Sequence, residues 1–208
     1  MKTLPLSILA LLLSALPVCA QPLELGYSGF FKHMKTVQKA KVQQAELGFY
    51  LSQADGGGLC TIISGGVRVD GEPRGEVTLL PHGQFVLPYD KQLDLDKAVV
   101  VLELAEREQC DISIKIQAQL EGGRTALAQL RQVRDEMQTL LAKMAGWPGR
   151  YFIPDIQGLH LYPAMGEDSL RLEGMEADPG TGKVSLRDAQ LAGEGSLMLP
   201  MVRITPWI

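Results

Sequence analysis

The sequence predicts an α+β protein that is mostly antiparallel β and sandwich-like, with one long amphipathic helix and a short N-terminal helix. Apolar and polar residues alternate over many short segments, which is typical of half-buried strands. Glycine and proline recur between those segments and favour turns. Residues 124–145 break the alternation, because their apolar residues recur at spacings of three and four. That spacing is typical of a helix with one buried face.

Residues 1–20 have the layout of a secretory signal peptide, with a basic residue, a short apolar run and a small residue at the end. The apolar run is too short to cross a bilayer, which takes about 20 residues. We expect cleavage after Ala20, a periplasmic location and no integral membrane segment after processing. In the alternative, Cys19 is the lipid acceptor of a lipoprotein, although Pro17 and Val18 before it disfavour that modification.

Residues 21–208 have the length of one domain. The whole chain contains 20 Lys and Arg and 24 Asp and Glu. One of the basic residues, Lys2, falls in the predicted leader, so 19 basic and 24 acidic residues remain and the formal charge is −5. This mild acidity, without a basic cluster in the sequence, argues against nucleic acid as a partner. We therefore predict a single β-rich domain that does not bind nucleic acid.

Two cysteines, Cys60 and Cys110, follow the predicted leader. An even pair of cysteines in an exported protein usually forms a disulfide, and we predict one here. Closing a loop of that length would stabilise the fold by about 4 kcal/mol, less any strain. The alternative is a pair of unpaired, buried thiols. The Cys-x-x-Cys spacing of thiol-exchange catalysts is absent.

Two helices are predicted from helical spacing. Phe30 and Val37 belong to a short apolar face near the N-terminus, and Ser28 is expected to cap that helix. The long helix is expected over residues 124–145, ending at Gly146. Its leucines and methionines are interpreted as core rather than as a membrane or cofactor surface.

Strands are predicted where the apolar period is two. The clearest has Ile112, Ile114 and Ile116 on one face. The predicted strands are residues 45–51, 60–64, 66–69, 77–79, 84–87, 98–105, 110–120, 158–162, 169–172, 184–186, 196–199 and 202–205.

A short internal repeat is present in the sequence. Residues 75–88 contain GEVTL and GQFVLP, and residues 182–200 contain GKVSL and GSLMLP. Each copy predicts a strand, a turn and a second strand that ends at proline. The alternative is that hairpins of one kind share turn glycines and apolar alternation without any duplication.

Familiar catalytic and metal-binding motifs are absent from the sequence. His33, His82 and His160 each lack the second histidine or adjoining cysteine that a local zinc site needs. DPGTGK, residues 178–183, lacks the first glycine and the final Ser or Thr of a phosphate-binding loop, so a hairpin turn explains it better. No serine lies in a G-x-S-x-G elbow. We therefore predict no cofactor, no metal and no catalytic residue from these motifs.

Several segments together resemble a known family. They read GYSGFFKHMKTV, AELGFYL, VLPYDKQLDLDKAVVVLEL, MAGWPGRYFIPDIQG and RITPWI, and Cys60 and Cys110 lie among them. In these features the chain resembles the exported bacterial family catalogued as domain of unknown function 2987. The resemblance covers almost all of residues 21–208 and implies a periplasmic, single-domain protein. It implies no activity, substrate or catalytic residue.

Two classes of function fit these observations. The first is a non-catalytic periplasmic binding or assembly module that offers strand edges or a groove to an envelope protein, a peptide or a glycan. The second is an envelope-polymer hydrolase with a dispersed carboxylate and histidine site, for which Asp111, Asp155 and His160 are the first candidates. Each of these three also has a structural interpretation, as a strand-end charge, a turn residue and an exposed ring. The lack of motifs favours the binding module.

The segment YDKQLDLDK, residues 89–97, is dense in charge. Asp94 and Asp96 would point the same way on an extended chain, and Asp90 would join them if the chain curls. Three clustered carboxylates could hold calcium, but the spacing lacks the alternating ligands and the glycine of an EF-hand. We expect a solvated connection without metal, anchored by its leucines.

Overall fold

The computed structural model describes residues 22–56, 58–105, 109–163, 169–172 and 174–208. The predicted leader, its cleavage site and Cys19 lie outside the described residues. The elements in chain order are β1 (Leu23–Gly26), α1 (Tyr27–Ala40), β2 (Ala45–Gln53), β3 (Ile62–Val69), β4 (Glu72–Glu76), β5 (Thr78–Leu79), β6 (Phe85–Val86), α2 (Lys91–Leu95), β7 (Val99–Leu104), β8 (Cys110–Leu120), β9 (Gly123–Ala126), α3 (Leu127–Gly149), β10 (Gly158–Pro163), β11 (Val184–Arg187), α4 (Asp188–Leu191), β12 (Ser196–Leu199) and β13 (Val202–Trp207).

The strands form antiparallel sheets, and the predicted α+β, sandwich-like class is confirmed. The long sheet has seven strands in the order β11-β10-β13-β8-β2-β6-β5. A second sheet has the order β1-β7-β3-β4, and β9 pairs with β12. The longest ladder joins β2 to β8 from Ala45↔Ala118 to Gln53↔Cys110, and the strand predicted over residues 110–120 is confirmed.

The apolar side chains gather in two buried clusters. In one, Phe30 of α1 packs edge-on against Phe49 of β2 and Phe85 of β6, with ring centroids 5.2 and 5.7 Å apart. The other surrounds α3, and the predicted stripe on that helix is confirmed as core. Burial of each of its side chains contributes about 1.5–3 kcal/mol. The fully buried residues of α3 are Leu130, Val133, Met137 and Leu140.

The chain folds as two structural repeats, which we name the N-terminal repeat (residues 23–120) and the C-terminal repeat (residues 123–207). Each begins with a strand that leads directly into a helix, β1-α1 and β9-α3. Each initial strand then pairs with the second-last strand of its repeat, as β1 with β7 and β9 with β12. The strand after the helix pairs on both sides, as β2 with β6 and β8, and β10 with β11 and β13.

The two repeats meet where β8 pairs with β13, through Gln119↔Arg203 and its neighbours. This antiparallel contact places the strand orders β11-β10-β13 and β6-β2-β8 on either side of one approximate twofold centre. Strands β3 to β5 are an addition to the N-terminal repeat. The long sheet is therefore shared by both repeats.

The structure confirms the first hairpin of the predicted repeat and corrects the second. Residues 75–88 do form a hairpin, because β5 pairs with β6. Residues 182–200 do not, because β11 pairs with β10 whereas β12 pairs with β9. The structural match joins GQFVL, residues 83–87, to GKVSL, residues 182–186. In both repeats a short helix follows, and it buries Leu93 at 5% exposure in one and Leu191 at 0% in the other.

Glu136 of α3 ties the C-terminal repeat to the N-terminal one. Its Oε2 accepts hydrogen bonds from the backbone N–H groups of Gln43, Gln44 and Ala45, at 3.0, 2.7 and 3.0 Å. These amides precede β2. Burial raises the pKa of the Glu136 carboxyl, but these hydrogen bonds and one from Gln132 outweigh burial and hold the pKa below its ordinary value.

The structure corrects both helix predictions at their starts. The helix predicted over 124–145 begins at Leu127, because residues 123–126 form β9 and pair with β12. It ends in a turn after Gly146 and Trp147, whose backbone angles are not helical. Ser28 does not cap α1, since Gly26 occupies the cap position and offers no side chain. In the described part of the chain, no helix has the length and apolar character needed to cross a membrane.

Candidate ligand-binding face

The long sheet has one face toward the core and one polar face. Alternation along the strands puts Leu161 and Ile204 in the core, while their neighbours Tyr162 and Arg203 point to the other side. We use the name polar face for the side chains of the long sheet that point away from the core. Its members used below are Glu46, Tyr50, Gln84, Lys115, Gln117, His160, Tyr162, Lys183, Ser185, Arg187, Arg203 and Trp207.

A buried hydrogen-bond network lies under the N-terminal half of the polar face. The Tyr50 hydroxyl donates to Gln117 Oε1 at 2.6 Å. Gln117 Nε2 donates in turn to Gln84 Oε1 and to Glu46 Oε1, each at 2.9 Å. Tyr50 is 1% exposed, Gln84 5% and Gln117 0%. A fully bonded buried network of this kind fixes its side chains in one arrangement.

Gly48 makes room for that network. A Cβ atom at this position would lie 2.7 Å from Cε2 of Tyr50 and 2.8 Å from the amide of Gln117. The Tyr50 ring therefore lies over the backbone of its own strand, with Lys115 Nζ 4.8 Å from the ring centroid. Burial raises the pKa of Tyr50, partly opposed by the positive charge of Arg203, so the phenol remains a hydrogen-bond donor at neutral pH.

Arg203 lies at the centre of the polar face, at the junction of the two repeats. Its guanidinium carbon is 4.7 Å from the centroid of the Tyr162 ring, and Lys183 Nζ approaches the same ring at 6.0 Å. Burial, together with the charge of Arg203, lowers the pKa of Lys115. Arg203 Nε is buried and has no hydrogen-bond partner among the described residues.

The C-terminal half of the polar face carries stacked rings. His160 stacks on Trp207 with centroids 5.2 Å apart and planes at 22°, and His160 Nδ1 lies 2.7 Å from Ser185 Oγ. The guanidinium carbon of Arg187 is 5.4 Å from the Trp207 centroid. Gly158 pairs with Arg187 on one side and with Trp207 on the other. A Cβ atom at Gly158 would lie 2.1 Å from the carbonyl oxygen of Leu186. His160 and Trp207 are half-buried, so their rings reach solvent.

The polar face is cationic although the chain is acidic overall. Lys115, Lys183, Arg187 and Arg203 all belong to it, and each lies beside an aromatic ring. Glu46 is the carboxylate bonded to the buried network, and the network's amides satisfy it. The fold therefore separates positive charge from the excess of negative charge in the sequence. Interleaved cations and rings can bind an anionic ligand that itself contains rings.

A shallow cleft of about 330 Å³ borders the polar face at the β5 edge of the sheet. Gln84 lines both the cleft and the buried network. The other lining groups used here are Ile62, Leu79 and the exposed His82, whose ring lies within the electrostatic reach of Arg203. Burial and then the charge of Arg203 lower the pKa of His82. The cleft is thus an apolar extension of the cationic face.

The predicted disulfide is present. Cys60 and Cys110 are joined, with an S–S distance of 2.03 Å and a Cα–Cα distance of 6.4 Å. The bond connects the start of β8 to the segment before β3. The bond joins residues that are 50 positions apart in sequence. It lies at the start of β8, whereas β13 pairs with the other end of that strand.

The three candidate residues of the hydrolase interpretation do not come together. His160 lies on the polar face, where its ring is half-buried against Ser185 and Trp207 rather than fully exposed. Asp111 pairs with Ser52 at the start of β8, about 23 Å along the strand from Ala118, where β8 reaches β13. Asp155 is exposed in the loop before β10. Among the described residues, no hydrogen bond or ion pair joins His160 to either carboxylate.

The charged segment 89–97, expected to be a solvated connection anchored by its leucines, contains the short helix α2 over Lys91–Leu95. Asp90 caps α2 by accepting a hydrogen bond from the Gln92 backbone N–H at 2.7 Å. Leu93 is buried, as expected for an anchor, but Leu95 is 61% exposed because a helix places the two leucines on different sides. Within the ranges that the structure describes, no group of three His, Cys, Asp or Glu side chains could hold a metal ion.

Sequence reasoning considered His160 and missed the rest of the polar face. The missed residues lie in or beside six strands that are far apart in sequence, so no local motif marks them. One signal was available. In the predicted strands 158–162 and 202–205, the residues alternating with leucine and isoleucine include a tyrosine and an arginine rather than small polar residues. Rings and cations at outward positions of neighbouring strands indicate a binding surface.

These features define a β-rich α+β protein with a cationic, aromatic sheet face. The chain belongs to the family described as "Protein of unknown function (DUF2987)", whose family model matches residues 19–162. The match confirms the family resemblance seen in the sequence. It extends through the N-terminal repeat and through α3 and most of β10. No curated protein and no solved structure matches the chain.

Proposed function

We propose that this protein is an exported, non-catalytic binding protein of the cell envelope. Its ligand-binding surface is the polar face of the long sheet, and its ligand is an acidic glycan. Export is supported by the signal-like leader in the sequence and fits the Cys60–Cys110 disulfide, since disulfides persist in oxidising compartments.

The observation that carries the proposal is the arrangement of rings and cations around Arg203. The guanidinium of Arg203 lies over Tyr162, and the Arg203 side chain is half-buried, so part of it remains accessible. A carboxylate of a uronic acid or of an acidic sugar substituent would accept from that guanidinium in a charge-assisted hydrogen bond. Lys183 beside the same ring would add a second positive charge.

The aromatic residues supply the second half of glycan recognition. The C–H faces of a sugar ring pack on exposed aromatic rings, and the half-buried Trp207 and Tyr162 present such rings beside cations. The buried network beneath Tyr50 keeps the N-terminal half of the surface in one shape, so little ordering has to accompany binding.

The proposal is tested by measuring the binding of the purified chain to soluble polysaccharides by calorimetry. Polygalacturonate and hyaluronate serve as acidic probes, and dextran serves as the neutral one. We expect binding to an acidic probe, weakening as NaCl is raised, and no binding to dextran. Failure of every acidic probe, or equal affinity for dextran, would contradict the proposal.

Variants assign the binding to the polar face. Arg203→Gln and Lys183→Gln should each weaken the affinity by about tenfold, which is the loss of one charge-assisted contact. The matched control is Arg68→Gln, because Arg68 is exposed on β3 of the other sheet. Unchanged affinity in both polar-face variants would show that the probe binds at another surface of the protein. Release of reducing ends from the probe over time would instead support the hydrolase class.

A further inference from the structure

Three aromatic side chains at the end of α3 stand out into solvent. Phe152 is 83% exposed, Trp147 78% and Tyr151 66%. Phe152 and Trp147 are the most exposed large hydrophobic residues in the part of the chain that the structure describes. We name Trp147, Tyr151 and Phe152 the aromatic tip. Exposure of this size means that protein atoms do not wall in the rings, so the tip is a protrusion rather than a groove.

The backbone of the aromatic tip is held by its own hydrogen bonds. Helix α3 leaves its regular path at Gly146, which has a φ of 63° that favours glycine. A turn follows in which three consecutive N–H groups, at residues 150, 151 and 152, donate to the carbonyls of residues 146, 148 and 149 at 2.7, 3.1 and 2.9 Å. The rings are therefore presented outward on an ordered turn, with the backbone groups satisfied.

Positive charge lies beside the aromatic tip. Arg150 Nη2 donates to the Tyr151 hydroxyl at 2.7 Å, and its guanidinium carbon is 4.8 Å from the Tyr151 ring centroid. Lys143 is exposed one turn earlier on α3. Neither cation forms an ion pair within the described residues. Asp155 is the acidic residue nearest in sequence, and it lies beyond the turn.

We infer that the aromatic tip docks the protein onto the surface of a lipid bilayer that contains anionic lipids. Trp147 and Phe152 enter the boundary between head groups and acyl chains, while Tyr151 stays at head-group level. Arg150 and Lys143 lie against lipid phosphates. This inference does not depend on the proposed glycan ligand.

The chemistry of the tip favours lipid over a folded partner. Trp and Tyr concentrate at membrane interfaces because their rings are apolar at one end and polar at the other. Each Lys or Arg beside a surface of anionic lipids adds electrostatic attraction between the protein and the membrane. A protruding set of separate rings needs a partner that deforms around it, as a fluid bilayer does, whereas a protein partner would need a matching cavity for each ring.

The experiment measures vesicle binding by flotation. The chain is expressed with its own leader and with Cys19→Ser, so that no attached lipid can contribute. It is mixed with vesicles of phosphatidylethanolamine and phosphatidylglycerol, or of phosphatidylcholine alone. We expect flotation with the anionic vesicles and at least about tenfold weaker binding to phosphatidylcholine. A Cys19→Ser chain that stays at the bottom of the gradient with both vesicle types would overturn the inference.

Variants and fluorescence locate the contact. Trp147→Ser combined with Phe152→Ser should abolish flotation without changing the thermal midpoint, because both side chains are exposed. The matched control, Met198→Ser, removes a side chain that is 66% exposed elsewhere and should float like the wild type. The chain has two tryptophans, so Trp207→Phe leaves Trp147 as the reporter, and its emission should shift to the blue with anionic vesicles. Undiminished flotation of the double variant, or an unshifted emission, would show that the tip does not touch lipid.

Discussion

Replacing Tyr50 by Phe tests whether the buried network stabilises the polar face. The substitution keeps the ring and removes the hydroxyl that donates to Gln117 Oε1 at 2.6 Å. Gln117 is 0% exposed, and the Tyr50 hydroxyl is the donor to that oxygen among the described groups, so the carbonyl oxygen would be left buried without a partner. An orphaned buried acceptor costs about 1–3 kcal/mol. We expect Tyr50→Phe to lower the free energy of unfolding by about 2 kcal/mol.

Urea denaturation followed by circular dichroism measures this loss, provided the m-value of the variant equals that of the wild type. Tyr151→Phe is the matched control, because Tyr151 is 66% exposed and should change stability by less than about 0.5 kcal/mol. Adding Gln117→Leu completes a double-mutant cycle, in which the coupling energy should exceed about 1 kcal/mol. A coupling energy of zero, or a Tyr50→Phe variant as stable as the wild type, would refute the reasoning.

Three further predictions concern the rest of the fold. Glu136→Gln should lower stability at neutral pH by about 2 kcal/mol, because three backbone amides lose a charged acceptor. Folding lowers the pKa of the Glu136 carboxyl below its ordinary value of 4.5. The wild type therefore keeps this stabilisation above the ordinary pKa and loses it as the pH falls through the lower pKa of the folded chain. The thermal midpoints of the wild type and the variant should converge over this acidic range. Reducing the bond, or replacing Cys60 and Cys110 by Ser, should cost about 4 kcal/mol in a denaturant titration, and a loss below about 1 kcal/mol would contradict the chain-entropy argument. Asp90→Ala should cost about 1 kcal/mol by removing the cap of α2, whereas Asp90→Asn should be nearly neutral and millimolar calcium should leave the wild-type midpoint unchanged; a calcium-dependent rise would reveal a metal site.

The parts of the fold that the sequence predicts well are those in which burial imposes a period. The alternation of β8 and the buried stripe of α3 are read directly from residues such as Ile114, Leu130 and Met137. The errors fall where pairing or capping overrides the period. Residues 123–126 lie in a strand because β12 supplies their partner, and Asp90 turns a pattern that suits an extended chain into a helix. The β12 partner cannot be identified from the neighbouring residues, whereas the Asp90 cap is a local signal that the sequence interpretation did not use.

Most of the candidate site could not be predicted from the sequence, because long-range strand pairing assembles it. Lys115, Tyr162, Lys183 and Arg203 meet only because β8, β10, β11 and β13 lie in one sheet, and that order follows from long-range pairing. A search for local motifs finds spacing along the chain, whereas this face is spaced across strands. The mild negative net charge of the chain also gives no indication of the cationic polar face, because the net charge does not depend on how the charges are distributed over the surface.

The two repeats use equivalent positions of the polar face in different ways. Counting outward from the Gln119↔Arg203 pair, the ladders place Gly48 opposite Lys115 in one repeat and Gly158 opposite Trp207 in the other. Beside the first glycine the aromatic ring is buried and closed by amides, whereas beside the second the rings are half-buried and flanked by cations. A ring sealed at 1% exposure cannot pack on a ligand, so Tyr50 supports the surface, while the half-buried Trp207 keeps accessible area for the proposed glycan. If the proposed glycan binds here, substitutions in the N-terminal half of the polar face should lower stability more than affinity, and substitutions in the C-terminal half should lower affinity more than stability.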